Sequence, residues 1–322
     1  MDCYAVIGMG SIAKRHLSNL RYLHPKSKIY SVSASGRNTE LPENADAVID
    51  MEQLLKEKPV YVIVASPAPF HIKMANSLLL NGIAVLIEKP LADNIESCMR
   101  LFSGVRSHHD TIAYVGYCLR FLPSALVVKN FLDGGMLGKV YNVESNAGQF
   151  LPSWRNDKNY KDSVSARKDL GGGALLELSH ELDYLLWLFG DLELQHSWLR
   201  TTNELDLDVE EIADLVLTTT SGIYISVHLD FIQKSTQRYC EFTGEKGRLV
   251  WSLMENTVSL FHSKGTEVLF SEPKYNKNGM YIDMLKAFEN KGASNLATIE
   301  SSSKVIQLIE DAKKLNKWRR VL

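Results

Sequence analysis

Residues 3–17 read Cys3-Tyr4-Ala5-Val6-Ile7-Gly8-Met9-Gly10-Ser11-Ile12-Ala13-Lys14-Arg15-His16-Leu17, and the order of residue types in this stretch decides the fold. Cys3 to Ile7 is a short apolar run of strand type. Gly8-x-Gly10-x-x-Ala13 follows at once, and Ile12, His16, Leu17, Leu20 and Leu23 then recur at helical spacing. Strand, glycine turn and helix in that order are the context in which a glycine motif binds a dinucleotide. Gly8 permits the tight turn. Gly10 lets a pyrophosphate approach the backbone, and the helix presents its N–H groups and positive dipole end to that anion. Ala13 is the small residue that lets the helix pack closely on the strand. An ordinary glycine-containing strand-to-helix turn is the plainer alternative, and the flanking strand and helix weigh against it.

Outward from this turn, the chain continues in alternating strand and helix patterns. Lys28–Ser33 reads as a second parallel strand, ending about 20 residues past the glycines, where such domains choose between cofactors. An acid there would hold the ribose hydroxyls of NAD. Here the stretch is Ser33-Ala34-Ser35-Gly36-Arg37, with no acid before Glu40. Ser35 and Arg37 suit a 2′-phosphate and incline the reading to NADP over NAD; the alternative for Arg37 is a solvated loop residue. Val60–Ala65 is a continuous apolar run of the kind buried in a parallel sheet. It ends in Ser66-Pro67-Ala68-Pro69-Phe70-His71. Ala84–Ile87 repeats the pattern and ends in Glu88-Lys89-Pro90. Ligands of open α/β sheets sit beyond the carboxyl ends of strands, so both loops, Lys89 included, fall at the ligand edge. Ile112–Gly116 is a further strand, and the domain boundary is expected just after it, giving domains 1–118 and 119–322.

The second part changes character. Arg120–Asp133 reads as a helix closed by Gly134-Gly135, and from Val140 polar and apolar residues alternate. Ile223, Ile225, Val227, Leu229 and Phe231 face one way, while Tyr224, Ser226, His228 and Asp230 face the other. That period of two marks a mainly antiparallel sheet buried on one side, with His228 on a face that is either a subunit contact or wet. Gly171–Tyr184 places three glycines before an apolar helix in which Glu177, His180 and Tyr184 stand at i, i+3 and i+7, expected on one side. A histidine on a leucine-rich helix is often a core residue; one with a neighbouring carboxylate after a glycine loop is a candidate for proton transfer.

Bulk properties narrow the classes. The 322 residues suffice for two domains, and a composition of 45% hydrophobic and 23% charged residues is that of a globular chain. A formal net charge of −2 leaves no electrostatic footprint for nucleic acid or an anionic membrane. No apolar run approaches a membrane span. The first strand leaves no room for a signal peptide, and the four cysteines have neither disulfide-framework nor zinc spacing. A cytoplasmic protein without a bound metal is expected.

Taken together, Gly8-x-Gly10-x-x-Ala13, Ser66-Pro67-x-x-x-His71, Glu88-Lys89-Pro90, Gly116-Tyr117-x-x-Arg120-Phe121 and the Gly171–Asp183 segment resemble the Gfo/Idh/MocA family of NAD(P)-dependent oxidoreductases, in order and spacing and over nearly the whole chain. The resemblance implies an N-terminal Rossmann domain, then an α+β domain whose open, mainly antiparallel sheet packs subunits into homodimers or homotetramers. It implies hydride transfer between NAD(P) and a secondary alcohol or carbonyl of a sugar, polyol or nucleotide-linked sugar. By the same resemblance Lys89 orients the reacting oxygen, and His180 is the second acid/base group, approaching that oxygen from the other domain. Gly8, Gly10, Ser11 and Ile12 hold the pyrophosphate; Ser66, Pro67, His71 and Glu88 line the nicotinamide side; Arg120 stands near the substrate.

The chain departs from the family in two places. Many members carry an aspartate four residues before the histidine, whereas here the acid is Glu177, three before, so Glu177 or Asp183 supports His180. The loop from Gln149 to Arg167 is long and resembles a branch associated with surface-carbohydrate biosynthesis. Within it Trp154, Arg155 and Arg167 are candidates for substrate binding, the arginines as clamps for a phosphate or carboxylate; a loop packed on its own aromatics is the alternative. A non-catalytic cofactor-binding regulator on the same scaffold is the competing function, and the presence of both Lys89 and His180 argues against it. A metal hydrolase built on Glu177-x-x-His180 lacks further ligands in any recognisable spacing.

Overall fold

The computed structural model describes residues 2–34, 40–106, 112–154, 159–202, 204–290, 294–315 and 319–320. Ser35, Arg37 and Arg155 lie outside the described residues. The chain forms two compact units, Met1–Tyr117 with Met284–Ile306, and Cys118–Asp283 with Gln307–Leu322.

The first unit is a parallel sheet with interleaved helices. Its strands are β1 (Cys3–Ile7), β2 (Lys28–Val32), β3 (Ala47–Ile49), β4 (Tyr61–Val64), β5 (Ala84–Ile87) and β6 (Ala113–Val115). Its helices are α1 (Ser11–Leu23), α2 (Met51–Glu57), α3 (His71–Leu79) and α4 (Ile95–Arg106). Across the sheet the order is β6-β5-β4-β1-β2-β3, and these neighbours are all parallel. This is the Rossmann order, and it reverses between β1 and β4. All of β1 and β4 is buried, which explains why their sequences are apolar throughout instead of alternating.

A seventh strand, Ala297–Thr298, pairs antiparallel with β6 at the edge. The expected single boundary at 118/119 does not anticipate this return of 284–306, and side chains give the reason. Phe288 packs edge-on against Tyr61 and Tyr114, at centroid distances of 5.1 and 6.1 Å. Glu289 Oε1 accepts from Tyr61 Oη at 2.8 Å and lies 2.7 Å from His24 Nε2. Residues late in the chain thus complete the core of the first unit.

The second unit contains α5 (Pro123–Asp133), β7 (Val140–Gly148), α6 (Ala174–Glu177), α7 (His180–Phe189), β8 (Leu192–Thr201), β9 (Ile212–Thr219), β10 (Tyr224–Asp230), β11 (Gln237–Gly244), β12 (Gly247–Ser252), β13 (Thr257–His262) and β14 (Gly265–Ser271). With a short strand at Arg319–Arg320, its sheet runs β14-β13-β12-β11-β7-β10-β9-β8-(319–320). Pairing is antiparallel except between β10 and β7 and between β8 and the last strand. Helix α6 packs over β9 and β10, α7 over β7, and α5 over β12 to β14. Ile225, Val227, Leu229 and Phe231 are buried as their alternation predicts. Asp230 departs from the pattern: it is buried because its carboxylate accepts N–H bonds from Ile232 and Gln233. The four cysteines are buried and none is in a disulfide. Among the described residues no helix is long and apolar enough to cross a membrane.

On this sheet His228 lies between two carboxylates, Nδ1 2.6 Å from Asp214 Oδ1 and Nε2 3.0 Å from Asp230 Oδ2. Arg200 also pairs with Asp214. The two carboxylates raise the His228 pKa from 6.5 to about 9 against the opposing effect of burial. A histidine whose folded pKa is raised stabilises the fold fully below the unfolded value, and this contribution is lost as pH rises through the folded one. The urea midpoint is therefore expected to fall between pH 6.5 and about 9. In His228→Gln that fall is absent or much reduced; an undiminished fall in the variant would refute the assignment.

Candidate active site

In the first unit the glycine turn lies where the strand order reverses. Leaving β1, Gly8 adopts φ +133°, a region that side chains disfavour, and a Cβ there would run into the Ala65 carbonyl at the end of β4. Gly8 N donates to Val32 O at 2.9 Å and Ala65 N to Ile7 O at 2.8 Å, fixing the turn between both neighbours. Gly10 is different. Its φ of −76° suits any residue, and a Cβ built on it meets no atom within 4 Å. Nothing among the described residues demands glycine there, whereas close approach of a pyrophosphate would. Gly10 is the N-cap of α1 and brings no side chain to its N–H groups, and the first turn, starting with Ser11 and Ile12, contains no acid. These residues fit an anion at the helix N-terminus.

Two further loops leave the same edge of the sheet, Ser66-Pro67 after β4 and Glu88-Lys89-Pro90 after β5. Lys89 is half-buried, and its peptide bond to Pro90 is cis. The two neighbours that sequence assigned to the nicotinamide side turn inward. Glu88 is 4% exposed; its Oε1 lies 2.7 Å from Nε2 of His16 on α1, and its Oε2 accepts the Lys89 N–H at 3.1 Å. His71 is 1% exposed, with Nε2 2.6 Å from Ser66 O and Nδ1 2.9 Å from Pro90 O. Burial pushes its imidazole below the ordinary histidine pKa. The neutral ring has one N–H, which serves one carbonyl at a time. Glu88 and His71 therefore hold loops together; the side chains themselves are buried within the unit. Sequence reading did not assign His16 a role, although a histidine on the apolar stripe of α1 was its signal.

In the second unit the glycine run is a docking surface for the preceding loop. Gly173 has φ +110°, and a Cβ there would strike the Glu210 carboxylate. Its N–H donates to Ser165 O at 3.0 Å. Glu210, 1% exposed, accepts the Leu175 N–H at 3.1 Å and so satisfies the start of α6. Burial raises its carboxyl above the usual range.

The expected single helix through Glu177, His180 and Tyr184 is interrupted. Glu177 ends α6, Leu178 and Ser179 form a bend, and His180 begins α7. The i, i+3, i+7 relation of one continuous helix therefore does not apply. Glu177 Oε2 accepts from Ser165 Oγ at 3.0 Å, and Tyr184, 1% exposed, bonds Ser145 at 2.7 Å.

Two guanidinium forks, one from buried Arg120 and one from part-exposed Arg238, grip the first turn of α7. Arg120 donates through Nε and Nη2 to the two Asp183 oxygens at 2.9 and 2.6 Å, both residues being almost fully buried. Arg238 does the same to Glu181 at 2.7 and 3.0 Å. Arg120, expected near the substrate, is engaged by Asp183 through both of these donors. Both Asp183 oxygens are likewise taken up by Arg120. Burial holds the Asp183 carboxyl above its usual range against the pull of Arg120.

Described residues of the long loop line a cavity of about 170 Å³, Leu151, Trp154, Tyr160, Asp162, Ser163 and Ser165 among them. Trp154 packs edge-on against Phe231 at 5.6 Å, with its indole N–H buried. Ser165 connects this wall to Glu177. Arg167 is exposed and paired in a fork with Asp169, at 3.0 and 2.6 Å. His180 is 8% exposed.

Residues 3–117 match the family described as the oxidoreductase family with an NAD-binding Rossmann fold, and residues 126–250 match the GFO/IDH/MocA C-terminal domain. Among curated proteins, inositol 2-dehydrogenase from Burkholderia multivorans is 25% identical, covering 75% of this chain and 71% of its own length. An inositol 2-dehydrogenase/D-chiro-inositol 3-dehydrogenase from Shouchella clausii is 27% identical over 89% of this chain and 82% of its own. Among solved structures, a mutant 3-ketoreductase from Actinomadura kijaniata, in complex with TDP-benzene and NADP, superposes with a TM-score of 0.80 at 21% identity, over 100% of this chain and 99% of that one. A levoglucosan dehydrogenase in complex with NADH and levoglucosan gives a TM-score of 0.82 at 18% identity, over 98% of each chain. At such identities these two likenesses speak for the fold alone.

Proposed function

This chain belongs to the GFO/IDH/MocA family of oxidoreductases, and from that premise we propose that it transfers hydride between NAD(P) and a secondary alcohol or carbonyl of a sugar or polyol, nucleotide-linked sugars included. The observation that carries this reading is the common edge of the Rossmann sheet. There a turn in which only Gly10 lacks an internal reason for glycine lies with the loop that bears Lys89. The names of the curated relatives, inositol dehydrogenases, support a polyhydroxylated substrate.

The roles follow from residue chemistry. Gly8, Gly10, Ser11 and Ile12 would hold the pyrophosphate, and Ser66 and Pro67 would border the nicotinamide. A nicotinamide held there would supply the hydride acceptor for oxidation of the carbinol carbon, or the donor for reduction of the carbonyl. The cationic amine of Lys89 would lower the effective pKa of the reacting hydroxyl, and the family resemblance gives His180 as the second acid/base candidate. Glu177, Trp154 and the 149–167 loop would meet the rest of the substrate. Homodimer or homotetramer assembly through the open sheet, a cytoplasmic location and a place in carbohydrate biosynthesis complete the proposal.

Parallel fluorescence titrations with NADH and NADPH at one salt concentration test the premise. Tighter NADPH binding is expected. Arg37→Asp should weaken NADPH about tenfold or more, the scale of a lost charge-assisted bond, and leave NADH nearly unchanged. Equal effects on both cofactors would sink the 2′-phosphate assignment. Cofactor binding without turnover on any sugar, polyol or sugar nucleotide would favour the regulator instead.

A further inference from the structure

Lys89 lies between two residues that are each held by a different buried histidine. On its N-terminal side, the Glu88 carboxylate reaches His16 Nε2 at 2.7 Å, and its other oxygen accepts the Lys89 N–H at 3.1 Å. On its C-terminal side, the Pro90 carbonyl lies 2.9 Å from His71 Nδ1. The two imidazoles come from different elements, His16 from the face of α1 that packs on the sheet and His71 from the first residue of α3. His16 is 0% and His71 1% exposed, whereas Lys89 is half-buried. The peptide backbone carrying the lysine therefore has a buried imidazole against it on each side, that of His71 bonding Pro90 O in the Nδ1–H tautomer, while the lysine itself remains at the ligand edge.

His71 has a second contact, Nε2 to Ser66 O at 2.6 Å, and its single N–H serves Pro90 O in one tautomer and Ser66 O in the other. A lysine side chain has four rotatable carbons and loses its aim when the backbone beneath it shifts. A displacement of about 1 Å in a reacting group costs on the order of 10²-fold in rate.

We propose that His16 and His71 are positioning residues that jointly set the backbone of Lys89, His16 through the Glu88 carboxylate and His71 through the Pro90 carbonyl. The proposal rests on the reading of Lys89 as the group at the reacting oxygen. It also makes a prediction specific to the ring atoms. Asparagine places an amide N–H where Nδ1 stood and glutamine one where Nε2 stood. His71→Asn keeps the bond to Pro90, and His71→Gln keeps only the bond to Ser66. For His16, which uses Nε2, glutamine is the faithful replacement.

The experiment compares His71→Leu, His71→Asn, His71→Gln, His16→Leu and His16→Gln with wild type. It measures kcat, KM and NADH affinity, and the rate at which acetic anhydride acetylates Lys89 relative to the exposed Lys73 of the same molecule. The expected result is a kcat loss of about 10- to 100-fold in the leucine variants, with KM and NADH affinity nearly unchanged. The Lys89:Lys73 labelling ratio should shift several-fold with it. Rescue is expected in His71→Asn over His71→Gln, and in His16→Gln. Should a leucine variant fail to fold, the asparagine–glutamine comparison at position 71 decides alone. An unchanged labelling ratio, or equal behaviour of His71→Asn and His71→Gln, would overturn the proposal. Absence of wild-type turnover on every polyol would instead overturn the functional reading, and the labelling ratio would still decide whether the histidines set Lys89.

Discussion

Lys89→Met is expected to lower kcat by about 10²–10⁴-fold, the usual range for removing a positioned acid–base group, while the NADH dissociation constant changes little. Methionine keeps the apolar stem of lysine as far as Cε and discards the ammonium group, its charge and its N–H donors together. Because the turn at Gly8–Ile12 proposed to hold the pyrophosphate belongs to a different loop, cofactor affinity has no reason to follow. Steady-state kinetics on the best polyol and a fluorescence titration on the same preparation separate the two effects. Turnover within threefold of wild type would remove Lys89 from the mechanism. A loss confined to NADH affinity would make it a cofactor residue instead.

The second large effect is on stability. Asp183→Ala should destabilise the second unit by about 3–5 kcal/mol, because it leaves the buried Arg120 guanidinium without its carboxylate. The surface pairs compare poorly with it: an exposed i, i+4 pair such as Lys56–Glu52 contributes about 0.3–0.5 kcal/mol. The cost in Asp183→Ala is that of an uncompensated charge and does not measure the worth of the pair. Accordingly Arg120→Met combined with Asp183→Leu should recover most of the loss, since apolar replacement of both partners is often neutral. Urea denaturation of the two single variants and the double variant closes the cycle. A single variant within 1 kcal/mol of wild type would show that water reaches Arg120.

What the sequence made legible was local. The apolar runs at Cys3–Ile7 and Tyr61–Val64 are buried on both faces and so have no polar alternation to confuse them. The glycine motif is legible because Gly8 answers to a backbone angle and a crowded neighbour, both short-range demands. Long-range pairings were not legible. Arg120 finds Asp183, and Glu88 finds His16, across 63 and 72 residues, and no spacing rule connects residues so far apart. The same holds for Glu210, whose carboxylate completes the start of α6 from 35 residues away. The bend at Leu178–Ser179 was missed for another reason. Both residues are tolerable in a helix, and apolar periodicity continues across them, so the interruption has no signature in residue type. For the 149–167 loop, residue types made Trp154 and Arg167 candidates. Only coordinates show the tryptophan in a cavity wall and the arginine paired with Asp169.

The return of Met284–Ile306 to the first unit has a consequence for how the protein is made. A ribosome releases the glycine turn and all six parallel strands early, yet the residues that cover Tyr61 and close the edge of β6 follow only after nearly the whole second unit has emerged. At translation speeds of ~5–20 residues per second, that interval is roughly ten to forty seconds. During it the nascent Rossmann sheet carries an unpaired edge and an uncovered aromatic cluster, the features by which partly folded chains find one another. The unit nearest the N-terminus is therefore among the last to be finished, and a chain truncated after residue 117 would hold that unfinished state permanently.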